Sequence, residues 1–136
     1  MREILFRGQC TETGDWIKGH YVRLFDDKGN RFHRIYSGYA ESDCGDLYPD
    51  WFEVDLETVG QFTGLTDKNG KKIFEGDIVK ALRICNQEVW TGYVVMWNGC
   101  FALKDAKTRN VPAIDLFNVY EVIGNIHDNP DLMENK

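Results

Sequence analysis

Along most of this chain apolar and polar positions alternate with the two-residue period of strands, and helical periodicity is scarce. "REILFRG" is a short apolar run bounded by charge and glycine. "DWIKGHYVRLF" places Trp16, Lys18, His20 and Val22 on one face, and Ile17, Gly19, Tyr21 and Arg23 on the other. "DDKGN" (Asp26 to Asn30) is turn chemistry, and "RFHRIYS" after it completes an expected hairpin. Residues 38–50, "GYAESDCGDLYPD", read as loop, being rich in Gly, Asp and Ser. "WFEVD" and "TVGQFTGL" scan as strands, followed by "DIVKALRIC", "EVWTGYVVMW" and "CFALKD". Both alternating faces of "EVWTGYVVMW" are apolar, which predicts a strand covered on both sides. Asn98-Gly99 marks a hairpin between it and "CFALKD". "LFNVYEVIGNI" supplies a last strand. "DNPDLMENK" predicts a helical turn, with Asn129 as cap, Pro130 in first position and Asp131 near the positive end.

The stretch "QFTGLTDKNGKKIFEGDIV" invites two ligand readings, and both fail on spacing. A phosphate-binding loop needs four residues between its glycines and a hydroxyl after the lysine. Gly64 and Gly70 have five residues between them, and Lys71 is followed by Lys72. A calcium loop counted from Asp67 would put Lys71 and Lys72 where an oxygen ligand and a glycine belong. What remains is a type I′ turn at Asn69-Gly70 and a second tight turn at Glu75-Gly76-Asp77.

These same residues resemble the signature of the YopX family, small proteins carried mostly by bacteriophages and prophages. "REILFRG" is similar to the family's opening and "EVIGNIHDNPDLM" to its ending, while "GYVVMWNGCFAL" fits its variable hairpin. The resemblance spans the chain, with a divergent middle at about residues 24–54. It implies a phage or prophage setting, hence the bacterial cytoplasm, and self-association into a homo-oligomer. It supplies no catalytic residues. The part beginning "EGDIV" is similar in pattern to small SH3-like barrels. The expected architecture is therefore mainly β: an N-terminal lobe over residues 1–60 with an acidic loop, and a barrel-like C-terminal lobe over 61–136 ending in a helical turn.

Composition narrows the function classes. In 136 residues, 43% hydrophobic and 28% charged positions describe an ordinary globular chain, and 13% aromatics furnish a core without disulfides. No apolar run reaches membrane-spanning length, and "MREILFRGQC" does not read as a signal peptide. Cys10, Cys44, Cys85 and Cys100 form no C-x-x-C pair, so free thiols in a reducing compartment are expected; a meeting of Cys85 and Cys100 across neighbouring strands stays open. The net charge is −6, yet Glu41 to Glu57 alone holds seven acids and no Lys or Arg, so the remainder is nearly neutral. That sign disfavours nucleic acid.

Candidate chemistry is sparse. Cys44 or Cys100 with His33 or His127 would supply a nucleophile and a base, but no spacing supports the pairing. His20 and His33 could meet across a sheet, and His127-Asp128 follows the last strand. Asp43, Asp46 and Asp50 could gather round a divalent ion, the basis of a metal-dependent enzyme reading. Trp16, Trp51, Trp90 and Trp97, with Lys80, Arg83, Lys104, Lys107 and Arg109, form the basis of a nucleic-acid reading, although core packing accounts better for Trp90 and Trp97. The leading expectation is a non-enzymatic module, free of cofactor and metal, that binds a protein partner. Its contact surface would be Tyr48, Asp50, Trp51, Phe52 and Glu53, where aromatic area and carboxylates interleave. The competing account puts Trp51 and Phe52 in the core, because "WFEVD" is also strand-like.

Overall fold

The computed structural model describes residues 3–105 and 111–134. They form a mainly β protein that divides into two compact units, Met1–Gln61 and Phe62–Lys136. All the strand pairings are antiparallel.

In the first unit, β1 (Phe6–Gln9) pairs with β2 (Trp16–Phe25), β2 with β3 (Arg31–Glu41), and β3 with β4 (Leu47–Glu53). On its other side β1 meets Gly60 and Gln61, the start of β5 (Gly60–Thr66). Beyond β1, Cys10 bridges Val54, so the chain returns to the end of β4. Ile35 is fully buried at the centre, and Val54 and Cys10 are buried with it.

In the second unit, the rest of β5 pairs with β6 (Lys72–Phe74). A four-stranded sheet follows in the order β10-β7-β8-β9, built from β7 (Asp77–Arg83), β8 (Glu88–Trp97), β9 (Cys100–Lys104) and β10 (Val119–Asn125). Its core joins Ile73, Val79, Val94 and Leu103 to Phe101, Phe117 and Tyr120. The buried Tyr120 hydroxyl donates toward the Ile114 and Phe117 carbonyls, at 2.7 and 2.8 Å. Burial, reinforced by Asp115, pushes its pKa upward.

Several expectations change. The sheet of the second unit does not close into an SH3-like barrel, because β9 and β10 lie at its two edges and do not pair with each other. β8 is a central strand, but only its middle is covered. Val94 is buried, while Val89, Met96 and Trp97 are exposed. Residues 38–50 are not a loop: β3 runs on to Glu41, β4 starts at Leu47, and only the turn between them is irregular. Asn129 precedes the helical turn α1 (Asp131–Glu134); its carbonyl accepts from the Leu132 N–H, and its Oδ1 from the Asn125 N–H, at 3.3 Å.

One five-residue turn is used three times. In Asp26–Asn30, Ser42–Asp46 and Asp67–Lys71, the first N–H bonds the fifth carbonyl and the fourth N–H bonds the first carbonyl. The fourth residue is glycine each time, with φ of +84°, +84° and +83°. A left-handed residue is what lets the strands resume after such a turn, and glycine adopts it without a Cβ penalty. The first side chain caps the turn: Asp26 Oδ1 accepts from the Lys28 and Asn30 N–H groups, Ser42 Oγ from Asp46, and Asp67 Oδ1 from Asn69 and Lys71. At Asp26 these bonds, led by the Asn30 side chain, hold the carboxyl below its usual pKa. Asn69 lacks the positive φ of a type I′ turn, so Asp-x-x-Gly, not Asn-Gly, sets this hairpin. Asn98-Gly99 is type I′, with φ of +50° and +82°, and joins Trp97 to Cys100.

Candidate functional site

The acidic, aromatic segment lies on β4, at one edge of the first unit's sheet. Two features shape the β3–β4 hairpin. Between Tyr36 and Gly38 the register slips, leaving an extra residue in β3, and Gly38 has a φ of +149°. Beyond this bulge Tyr39 faces Pro49 and Ala40 faces Tyr48, up to the Ser42–Asp46 turn.

Strand alternation splits the five residues singled out in the sequence. Tyr48, Asp50 and Phe52 project from one face, and Trp51 and Glu53 from the other. Phe52 is half-buried opposite the buried Ile35. Trp51 does not enter the core. It is 43% exposed, and the Arg34 guanidinium stacks 3.7 Å from its ring centroid. Leu47, Tyr48 and Tyr39 are exposed on the same hairpin, at 70, 47 and 75%. Beside Trp51, an open cleft of about 400 Å3 is lined by Glu12, Arg34, Trp51, Phe52 and Glu53, with Cys10 and Phe32. Two carboxylates and one guanidinium leave that cleft net negative. Leu47, Tyr39, Arg34 and Glu12 escaped the sequence reading. Once Ser42-x-x-Gly45 is taken as a turn signal, alternation puts Leu47 on the face of Pro49 and Trp51, and the hairpin register adds Tyr39 opposite Pro49; Arg34 and Glu12 carry no such local signal.

The backbone of β4 is as informative as its side chains. Asp46 accepts from Ser42 and Val54 donates to His33, both across the hairpin. Residues of even number therefore direct their N–H and C=O toward β3, and those of odd number direct theirs outward. At Glu53 the outward carbonyl accepts from the Thr11 N–H at 3.0 Å, beside the Cys10–Val54 bridge. From Leu47 to Phe52 no strand lies alongside among the described residues. Pro49 fits such an edge, since its nitrogen has no hydrogen to satisfy.

The other candidates disperse. His20 pairs with Tyr36, and His33 with Arg23, so the two histidines are not partners. His33 Nδ1 lies 2.8 Å from the Tyr21 hydroxyl. Cys44 sits in the turn beyond the opposite end of β3 from His33, and Cys100 belongs to the other unit. Cys100 Sγ donates to the Trp97 carbonyl at 3.3 Å. Cys85 and Cys100 are free, at opposite ends of β8. Cys10 is buried, and hydrogen bonds, chiefly from the Thr13 side chain, lower its thiol pKa. The His127 and Asp128 N–H groups both donate to Asn125 Oδ1, a local loop arrangement. Among the described residues no three His, Cys, Asp or Glu side chains are placed to hold a metal ion, so Asp43, Asp46 and Asp50 do not converge. In the second unit Arg83 donates to the Leu116 carbonyl and lies 4.0 Å from Glu88. Trp90 packs on the core, whereas Trp97 is 49% exposed and outside it. Lys107 and Arg109 lie outside the described residues. Among the described residues no helix is long and apolar enough to cross a membrane.

Fold and site together define a small, mainly β protein of two antiparallel units, with an exposed acidic-aromatic strand edge as its most distinctive surface. The family model described as YopX protein matches residues 5–134, and the chain belongs to the YopX family. Among solved structures, protein EF1440 from Enterococcus faecalis is similar, with 25% identity, a TM-score of 0.59, and coverage of 98% of this chain and 99% of that one. Protein yopX from Bacillus subtilis shares the fold at 16% identity and a TM-score of 0.52, over 100% of this chain and 99% of that one. No curated protein matches.

Proposed function

We propose that this chain is a phage or prophage accessory protein of the bacterial cytoplasm, without catalytic activity, that captures a protein partner through the β4 edge. The contact surface is Tyr48, Asp50, Trp51, Phe52 and Glu53, widened by Leu47 and Tyr39. The observation that carries this reading is the exposure of Trp51, Leu47 and Tyr48 on a strand that itself holds Asp50 and Glu53 and follows a turn holding Asp43 and Asp46. Large apolar side chains in water are costly unless a partner covers them, and carboxylates around them steer a basic partner and discourage random association.

The test is capture of partners from phage-infected or prophage-induced cells with the intact protein and with Trp51→Ala. The expected result is loss of the captured partner at unchanged thermal stability. Equal loss of stability and capture would return Trp51 to a structural role. Capture that survives Trp51→Ala unchanged would move the contact surface off this edge.

A further inference from the structure

We infer that the open stretch of β4, Leu47 to Phe52, takes up an extended, lysine- or arginine-rich peptide segment as an added antiparallel strand. This rests on the protein-binding reading above and specifies its partner chemistry and mode.

Three observations support it. The first is backbone polarity. Leu47 and Trp51 each direct an N–H and a C=O outward, and Pro49 a C=O alone, with no strand beside them among the described residues. The second is that the chain already begins the same pairing. Thr11 donates to the Glu53 carbonyl at 3.0 Å and Asp55 to the Gln9 carbonyl at 3.0 Å, either side of the Cys10–Val54 bridge. The segment after Thr11 then turns away through Gly14, whose N–H bonds the Cys10 carbonyl. The edge beyond Glu53 is therefore left in the geometry of a sheet awaiting its next strand.

The third is charge. Both faces of β4 carry acids, Asp50 on one and Glu53 on the other, with Glu41, Asp43 and Asp46 around the turn. An incoming strand would meet carboxylates whichever face its side chains take, and opposite charges directly across a sheet stabilise pairing. On Trp51's face, Glu12 and Glu53 outnumber Arg34, which already stacks on the Trp51 ring, and so leave the cleft one negative charge for a cationic side chain to meet. An acidic strand, or a second β4, would bring like charges into register.

The experiment uses the whole chain and a short end-blocked peptide alternating Lys and Val. Two comparison peptides accompany it: one with Glu for Lys, and one N-methylated on every backbone amide, so that neither edge can donate. The Lys peptide binds, weakens as salt rises, and slows amide exchange at Leu47 and Trp51. Tyr48 and Asp50 keep their exchange rates, since their amides already face β3. N-methylation and Glu replacement each weaken binding roughly tenfold or more. Equal binding of the N-methylated peptide, or protection absent at Leu47 and Trp51, overturns strand addition. Equal binding of the Glu peptide overturns the cationic assignment. Failure of all three peptides overturns the inference entirely. The broader reading stands or falls separately, on loss of the native partner in Trp51→Ala.

Discussion

Asp67–Lys71 and Ser42–Asp46 are the same turn put to opposite ends. Each closes a hairpin through a capped first residue and a left-handed glycine. At Asp67–Lys71 the turn lies against β10. Lys68 donates to the Tyr120 carbonyl at 2.9 Å, and Val122 donates to Asp67 Oδ2 at 3.2 Å. That occupies an edge of the four-stranded sheet, so β10 is not left open there. The Ser42–Asp46 turn bonds within itself, and beside it the edge of β4 stays uncovered. Asp67 is 7% exposed, and both its oxygens accept backbone donors. Ser42 contributes a single hydroxyl bond, to Asp46. An identical local motif thus locks one unit and, in the other, presents a surface.

The largest expected effect breaks the locked turn. Asp67→Ala removes the buried acceptor of the part-buried N–H groups of Asn69, Lys71 and Val122, and should cost on the order of 2–3 kcal/mol, measured by urea unfolding. Ser42→Ala, its counterpart, should cost at most about 1 kcal/mol by the same measurement. Equal losses would erase the distinction between the turns.

Acid sharpens the same contrast. Burial disfavours ionised Asp67, but the N–H groups of Lys71, Val122 and Asn69, with the Lys71 charge, outweigh it and hold the carboxyl below its usual range. The folded chain therefore binds fewer protons than the unfolded one in that range. This contribution is complete above the unfolded carboxyl value, about 4, and is lost as pH falls through the lower folded value. Unfolding measured from pH 6 down to pH 2 (about the range the carboxyl spans) should show a steeper acid loss in the native chain than in Asp67→Asn. Parallel curves would remove Asp67 as the source.

The glycines should behave alike. A Cβ on Gly70 meets nothing within 4 Å, and on Gly45 only Glu41 Oε1 at 3.8 Å. Gly70→Ala and Gly45→Ala should each cost about 1–2 kcal/mol, from the left-handed backbone alone. A much larger loss at Gly70 would mean that docking on β10, not the turn, sets the cost. The smallest effect is Trp51→Ala. It removes a cation–π contact with Arg34 at a half-exposed site, about 0.5–1 kcal/mol, and should shift the melting temperature only slightly.

The residue pattern by itself determined that this protein is mainly β, because alternation at period two and glycine turns are local properties. Asn98-Gly99 was legible as type I′ because two residues fix its backbone. Family membership was legible in the stretch from Gln61 to Val79, which resembles the family signature and lies within the matched residues 5–134. The β3–β4 hairpin was missed because Ser42-x-x-Gly45 sits among Gly, Asp and Ser that read equally as loop. Only tertiary structure decided which edges are covered: whether β10 is met by a turn, whether Thr11 reaches Glu53, and whether the second sheet closes. Those outcomes depend on hydrogen bonds between residues far apart in the chain, such as Asp67 with Val122, and no local pattern encodes them. The exposure of Trp51 and the half-burial of Phe52 follow from the same cause, because alternation separates their faces but only packing on Ile35 says which face is inside.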